Sequence, residues 1–231
     1  MKKKLVIFSG AGISAESGIK TFRGADGLWE NYRIEDVATP EAFEANPALV
    51  LDFYNQRRAQ VVQASPNTAH IAIANTEHIF DVSVITQNID DLHERAGSSN
   101  VLHLHGEIRK SRSVCDSQRL YSINGTTLNL GDLDPKGKQL RPHVVWFGES
   151  VPMIEKVIPI IQAADILIVV GTSLNVYPAA GLVDFATASA KKYLVDPHQS
   201  NSQQGVFNLI KEPATTGIPK VLSLISNPVK F

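Results

Sequence analysis

The stretch Leu5-Val6-Ile7-Phe8-Ser9-Gly10-Ala11-Gly12-Ile13-Ser14-Ala15 decides the fold class of this chain. Its apolar run, Leu5–Phe8, is typical of a buried parallel strand. The six residues from Gly10 fit the pattern G-x-G-x-x-A, in which glycine lets the backbone approach a pyrophosphate and the following helix N-terminus supplies N–H groups. Alone, this motif is weak, and a tight strand-to-helix turn is the alternative.

Outside this stretch, apolar runs and helical patterns alternate along the chain. Three further runs are rich in valine, isoleucine or leucine and end in polar or small residues: Val82–Thr86, Ile166–Val170 and Tyr193–Val195. Helical patterns lie between the runs, at Pro47–Gln63, His70–His78 and Val176–Ala190. Strands that alternate with helices predict an α/β fold with a Rossmann-like, doubly wound parallel sheet, whose ligands bind at the carboxyl ends of the strands.

Composition excludes several classes of protein. A net charge of −1 argues against nucleic acid as a partner, because phosphate binding needs a concentrated basic face. No apolar run approaches the roughly 20 residues that span a bilayer, and Leu5–Phe8 is too short for a signal peptide. Cys115 is the only cysteine, which excludes internal disulfides and multi-thiolate metal sites. We therefore expect a cytoplasmic protein. We also expect it to be a monomer.

The least α/β-like part of the chain is roughly 109–141. Asn124-Gly125 is a specific signal for a two-residue hairpin loop. This loop would place four apolar residues on one face of the hairpin: Tyr121, Ile123, Leu128 and Leu130. We therefore expect a single domain (1–231) with a Rossmann-like part (approximately 1–30, 66–108 and 142–231), a helical small-module part (31–65) and an inserted hairpin module (109–141).

Three further patterns carry possible chemistry, and each has an ordinary structural alternative. His103 and His105 share one side of a predicted strand and could bind a metal or supply a general base, or simply form hydrogen bonds in a half-buried strand. Asp90 and Asp91 follow a buried strand, where an aspartate is ordinarily a helix N-cap. Tyr54 and Arg57 share one face of the helix Pro47–Gln63, as a core-edge tyrosine and an arginine that extends to solvent also would.

Taken together, six ordered segments resemble the sirtuin family, over residues 5 to about 214. They are Gly10–Ser14, Thr21–Gly24, Thr86–Asp90, His105-Gly106, Val144–Glu149 and Gly171–Ser173. The resemblance implies an NAD-dependent protein-lysine deacylase that converts the acyl-lysine of a protein or peptide into free lysine, with nicotinamide and O-acyl-ADP-ribose as the other products.

The resemblance also implies a role for each matching residue. Asn88 and His105 would be catalytic, with His105 as the base that deprotonates a ribose hydroxyl. NAD would be bound by Gly10, Ala11, Gly12, Ser14, Thr21, Phe22, Arg23, Gln87, Asn88, Asp90, Gly171, Thr172, Ser173, Asp196 and Ala214. The peptide would pair, by strand addition, with Val144, Val145, Trp146, Phe147, Gly148 and Glu149.

Two features suggest a subclass within the family. Tyr54 and Arg57 resemble the Tyr-x-x-Arg pair of sirtuins that remove succinyl and malonyl groups, since a guanidinium can bind a distal carboxylate bidentately. The structural zinc that is usual in the family needs four ligands. Between His105 and Trp146 the only cysteine is Cys115, and 109–141 contains no histidine. We expect a small module without zinc. A sensor without turnover, an ADP-ribosyltransferase or NAD hydrolase, and a metal hydrolase built on His103 and His105 are the alternatives.

Overall fold

The structure is a computed structural model that describes residues 1–21, 32–172, 174, 177–198 and 205–226. The strands within these residues are Lys4–Ser9 (β1), Asp81–Thr86 (β2), Val101–His103 (β3), Gly106–Ser113 (β4), Asp116–Ser122 (β5), Leu140–Val144 (β6), Ile166–Val170 (β7), Lys191–Val195 (β8) and Asn208–Ile210 (β9). The α-helices are Gly12–Ala15 (α1), Ile34–Val37 (α2), Pro40–Ala45 (α3), Pro47–Gln63 (α4), Thr68–Asn75 (α5), Leu92–Arg95 (α6), Ile154–Gln162 (α7) and Ala214–Ser226 (α8). None of the described helices is both long and apolar enough to cross a membrane.

The larger sheet confirms the predicted fold class. Its six strands lie in the order β3-β2-β1-β7-β8-β9, and every neighbouring pair is parallel. Counted along this sheet alone, the order is 3-2-1-4-5-6, the Rossmann arrangement. The order reverses between β1 and β7, which opens a crevice at their carboxyl ends.

Both faces of this sheet are buried, as its uninterrupted apolar strands predict. In β1, Leu5 and Ile7 pack on one face against residues of α5 and α8, while Val6 and Phe8 pack on the other face against α7. Alternate residues of β7 divide in the same way. The sheet therefore has helices on both sides, and only its ends remain for ligand binding.

A second, smaller body consists of α2, α3, α4 and the antiparallel sheet β5-β4-β6. Its residues share one core, which is separate from the two cores of the large sheet and includes Val50, Phe53, Ile108 and Trp146. β4 begins at Gly106 and β6 ends at Val144, so both strands extend beyond the range 109–141 that the sequence suggested for the hairpin module.

The predicted position of the hairpin loop is wrong. β4 pairs with β5 so that Ser113 lies opposite Asp116, which puts the turn at Val114-Cys115. Gly125 does have the positive φ that its turn signal predicts, 85°, but it lies in an irregular loop after β5. Of the four apolar residues expected on one face, Ile123 and Leu128 are buried, Tyr121 is half-buried and Leu130 is exposed.

Side chains of α4 hold the loop that follows β5. Asn55 donates from Nδ2 to the Leu128 carbonyl (3.1 Å) and accepts from the Leu128 N–H (2.9 Å). The buried Arg58 donates to the carbonyls of Ile108 (2.7 Å) and Thr126 (3.1 Å), and to Oδ1 of Asn55 (2.7 Å). These bonds, with the burial of Ile123 and Leu128, connect the loop to the helix.

Two of the three predicted helices are found at their expected places. The helix Pro47–Gln63 is confirmed at both ends, and its N-cap Asn46 accepts from Leu49 N. The second begins at Thr68 rather than His70, because Asn67 caps it, and it continues into a short 3-10 helix, Thr76–His78. The prediction of a helix over Val176–Ala190 is wrong within the described residues, where only a 3-10 helix, Ala179–Phe185, forms. Glycine at 181 disfavours a longer α-helix there.

Candidate active site

The crevice between β1 and β7 depends on a close approach of two loops. The N–H of Gly12 donates to the carbonyl of Gly171 (2.8 Å), and the N–H of Gly10 donates to that of Val170 (3.0 Å). A Cβ added to Gly12 would lie 2.7 Å from Cα of Gly171, and Gly171 itself has a φ of +62°. Only glycine fits both positions, so the motif shapes the backbone here as it would in a site for a pyrophosphate.

A cavity of about 770 Å³ begins at this crevice and extends to the small body. Most of the residues predicted to form the site line it: Gly10, Ala11, Gly12, Thr21, Gln87, Asn88, His105, Gly171, Thr172, Asp196 and Ala214 on the sheet side, and Tyr54, Arg57 and Val144–Glu149 on the other. Phe22, Arg23 and Ser173 lie outside the described residues, so their predicted roles stay predictions.

Asn88 is held by buried groups behind the cavity wall. Its side-chain amide donates to the Gly10 carbonyl and to Oγ of Ser14, both at 3.2 Å, and Ser14 in turn donates to Asp90 (3.0 Å). Ser14 and Asp90 are not among the residues that line the cavity. Burial raises the pKa of the Asp90 carboxyl, whose other oxygen accepts from the N–H of Leu92 (3.1 Å), the first residue of α6. Ser14 thus links Asp90 to Asn88. The N-cap of α6 is Asp91, whose side chain makes no capping hydrogen bond.

The geometry of His105 suits a base. Its Nδ1 lies 3.0 Å from the carbonyl of Gln87, which can only accept, so Nδ1 carries the proton. Nε2 then has the free electron pair. Burial lowers the pKa of His105, against the opposing effect of the Gln87 hydrogen bond, and this favours the neutral ring.

His103 does not share this role, although the sequence placed both histidines on one side of a strand. β3 ends at His103, and His103 is not among the residues that line the cavity. Its Nδ1 lies 2.9 Å from the carbonyl of Asn88 and its Nε2 lies 2.7 Å from Glu94. Burial alone would lower the pKa of His103, but the hydrogen bond and the charge of Glu94 outweigh it, so the pKa is raised. The two histidines therefore hold the consecutive carbonyls of Gln87 and Asn88, and only His105 faces the cavity.

Tyr54 and Arg57 do not extend to solvent as ordinary core-edge residues would. They are only 4% and 5% exposed, and both line the cavity. Burial lowers the pKa of Arg57 to about 10, so the guanidinium remains a cation at neutral pH. Burial raises the pKa of Tyr54 to about 12, so the phenol remains protonated. One wall of the cavity thus presents a buried cation and a neutral hydroxyl.

The segment Val144–Glu149, which was expected to pair with the peptide as a strand, lines the cavity but is not a strand beyond Val144. β6 ends at Val144, and the N–H of Glu149 donates to the carbonyl of Trp146 (3.1 Å) in a turn. The N–H groups of Val145, Trp146 and Phe147 are also used within the chain, by His105, Glu149 and Ala38. A substrate strand that paired with this segment would therefore meet mostly carbonyl groups.

A family model and a relative of known name both match most of this chain. The model of the Sir2 family matches residues 10–178, a range that contains the glycine motif, Asn88 and His105. A relative named NAD-dependent protein deacylase, from Helicobacter pylori, is 55% identical over 87% of this chain and 87% of its own length. The chain belongs to the Sir2 family.

A further relative and several solved structures match nearly the whole chain. A relative from Bacteroides thetaiotaomicron, also named NAD-dependent protein deacylase, is 46% identical over 96% of this chain and 98% of its own. Among solved structures, a mutant Sir2 homologue in complex with ADP-ribose is 38% identical, with a TM-score of 0.88 over 96% of this chain and 91% of that one. A Sir2 complex with a deacetylated p53 peptide and 3′-O-acetyl-ADP-ribose is 29% identical, with a TM-score of 0.83 over 97% and 94% of the two chains.

Sequence reasoning missed several residues of this Sir2 cavity. They are Ala15, Glu16, Ile34, Ala38, Ile89, Val151, Tyr177, Pro178, Val195, Pro197, His198 and Pro213. Ile34 begins α2 and Ala38 directly follows its end, and the four-residue spacing brings the two one helical turn apart. Glu16 follows the glycine motif directly and accepts hydrogen bonds from Thr215. Sequence spacing could have suggested Ile34 with Ala38, and also Glu16. The other missed residues come together only through the tertiary fold.

Proposed function

We propose that this chain is an NAD-dependent protein-lysine deacylase with a pocket suited to acyl groups that end in a carboxylate, such as succinyl and malonyl. The observation that carries the proposal is the placement of Tyr54 and Arg57, which are buried in the wall of the same cavity that Asn88 and His105 line. NAD-dependent deacylation rests on the Sir2 relatives, and the acyl preference rests on this wall.

The chain's own residues fit NAD. The close contact of Gly12 with Gly171 leaves backbone, without side chains, where the pyrophosphate of a dinucleotide would lie. Asp196 follows β8 and lines the cavity, where a carboxylate can accept from a ribose hydroxyl. When bound, NAD supplies the ribose carbon that accepts the acyl oxygen and releases nicotinamide.

The remaining chemistry falls to Asn88 and His105. Asn88 is fixed by Gly10 and Ser14, so it can orient the nicotinamide ribose without rearrangement. His105 would take a proton from a ribose hydroxyl at Nε2, while the Gln87 carbonyl holds the ring at Nδ1. A buried site also keeps water from the reacting carbon.

The acyl preference follows from electrostatics. A buried guanidinium pays a desolvation penalty, which a bound carboxylate would offset with two charge-assisted hydrogen bonds. A terminal methyl group, as in acetyl-lysine, offers no such interaction. The two lysine modifications should therefore be removed at different rates, and Arg57 should be the main cause.

The test compares succinyl-lysine and acetyl-lysine peptides of one sequence, with NAD, for the wild type and Arg57→Met. The methionine keeps much of the volume and removes the charge. We expect the ratio of kcat/KM for succinyl over acetyl to fall about 10- to 100-fold, as for the loss of a hydrogen-bonded charge. Arg119→Met, at an exposed position, makes the same chemical change away from the cavity and should leave the ratio unchanged.

The identity of the products separates deacylation from its alternatives. O-Acyl-ADP-ribose and free lysine in equal amounts would support the proposal. Free ADP-ribose without loss of the acyl group would indicate an NAD hydrolase instead, and NAD binding without any turnover would indicate a sensor. An unchanged succinyl-to-acetyl ratio in Arg57→Met would contradict the acyl preference alone.

A further inference from the structure

The carboxylate of Glu149 is held by three groups at the end of the segment Val144–Glu149. Arg141 donates to both of its oxygens, at 2.7 and 3.1 Å, and Arg112 approaches them at 3.1 and 3.3 Å. The N–H of Trp146 adds a bond of 2.8 Å. Although burial alone would raise the pKa of Glu149, the bonds from Arg141 lower it, so the group is an anion at neutral pH. Two arginines and one carboxylate therefore fix the turn.

The same cluster fixes the plane of the Trp146 indole. The guanidinium carbon of Arg141 lies 3.2 Å from the centroid of that ring, in a cation–π contact. Nη2 of Arg141 also donates a hydrogen bond to the Val144 carbonyl (3.0 Å). The ring of Phe43 lies 5.3 Å from Trp146, centroid to centroid. Trp146 is 3% exposed and still lines the cavity. A ring held in this way has little freedom to rotate.

The fixed indole is hydrogen-bonded to Tyr54, which together with Arg57 forms the acyl-binding wall of the cavity. Its Nε1–H donates to the hydroxyl oxygen of Tyr54 at 3.0 Å. An indole nitrogen can only donate, so the hydroxyl must accept in this contact. The hydrogen of the hydroxyl is then left to donate elsewhere.

We infer that Trp146, held by Arg141 and Glu149, is a specificity-determining residue, which acts by orienting the Tyr54 hydroxyl as a donor to the terminal carboxylate of the acyl group. This inference rests on the proposed function, because it concerns the same acyl-binding wall. A Tyr54 pKa of about 12 supports it, since the proton remains on the phenol throughout the pH range of an assay. Donation from the indole also polarises the hydroxyl and strengthens it as a donor.

A double-mutant cycle tests the inference. Tyr54→Phe, Trp146→Phe and the double variant are compared with the wild type through the ratio of kcat/KM for succinyl-lysine over acetyl-lysine peptides. We expect Tyr54→Phe to lower this ratio about tenfold, as for a hydrogen bond to a charged group, and Trp146→Phe to lower it about threefold or more. In the Tyr54→Phe background, Trp146→Phe should cause no further change, because its effect passes through the hydroxyl.

A second variant separates the indole N–H from the shape of the ring. Benzothienylalanine at position 146 keeps the bicyclic ring and has sulfur in place of the N–H, so the packing against Arg141 and Phe43 persists. This variant should still lower the succinyl-to-acetyl ratio, because it lacks the N–H that donates to Tyr54. An unchanged ratio with this isostere, or equal losses from Trp146→Phe with and without the Tyr54 hydroxyl, would overturn the inference.

The control measurement is the ratio for the wild type and Arg57→Met. If the wild type prefers succinyl, if Arg57→Met abolishes that preference, and if the changes at 146 have no effect, the inference about Trp146 fails while the proposed function stands. If the wild type removes acetyl but not succinyl groups, the acyl preference fails, and the inference fails with it.

Discussion

Replacing Asn55 by alanine tests how the small body is held together without a cysteine-ligated metal. Asn55 makes three hydrogen bonds, two with the backbone of Leu128 and one with the buried Arg58. At about 1 kcal/mol each, and with water replacing part of them because Asn55 is only half-buried, their loss should lower the free energy of unfolding by about 2–3 kcal/mol. In a chain of this length, that corresponds to a fall in Tm of about 4–12 °C.

The assay is thermal unfolding of purified wild type, Asn55→Ala and Asn129→Ala, followed by circular dichroism. Asn129 lies in the same loop and is exposed, and its side chain makes none of the hydrogen bonds found among the described residues. We expect Asn129→Ala to unfold with the wild type and Asn55→Ala to unfold earlier. Unfolding of Asn55→Ala at the wild-type temperature would refute the idea that α4 holds this loop.

Three further predictions follow from the site and its surroundings. Chelation with EDTA should leave Tm unchanged, and elemental analysis should find no stoichiometric zinc; one zinc per chain would contradict the prediction from the single cysteine. Gly12→Ala should weaken NAD binding about tenfold or more by calorimetry, because its Cβ would lie 2.7 Å from Gly171 and displace the loop; wild-type affinity would contradict the tight fit. Burial lowers the pKa of His70 to about 4 in the folded state, below its unfolded value of about 6.5. The neutral, buried form should therefore be fully stable above about pH 6.5. As the pH falls toward about 4, the free energy of unfolding should decrease by up to about 3 kcal/mol. Urea unfolding over this range should show a steeper loss for the wild type than for His70→Gln, and parallel curves would exclude His70 as the cause.

Local pattern was sufficient for the elements whose side chains alternate between buried faces. The apolar runs of β1, β2 and β7 appear where the sequence predicts them, because burial on both faces of a parallel sheet imposes a composition that is visible along the chain. The helix α4 also appears where it is predicted, although its buried side includes Arg57 and Arg58. The glycine motif likewise indicated the crevice, since only glycine tolerates the contact with Gly171. Pairing of β4 with β5 could not be read in this way, because the turn signal at Asn124-Gly125 competed with an unmarked turn at Val114-Cys115.

The sequence by itself determined the fold class, the family and most of the residues around the cavity, because each of these depends on residue types at fixed spacings. Only the tertiary structure decided which of two similar histidines faces the cavity. His103 and His105 are alike in sequence, yet one contacts Glu94 and the other lines the cavity. The tertiary structure also decided that Tyr54 accepts a hydrogen bond from Trp146, which is 92 residues away in the chain. Such contacts join residues that are distant in the chain, and no local pattern carries the geometry that a three-dimensional packing imposes.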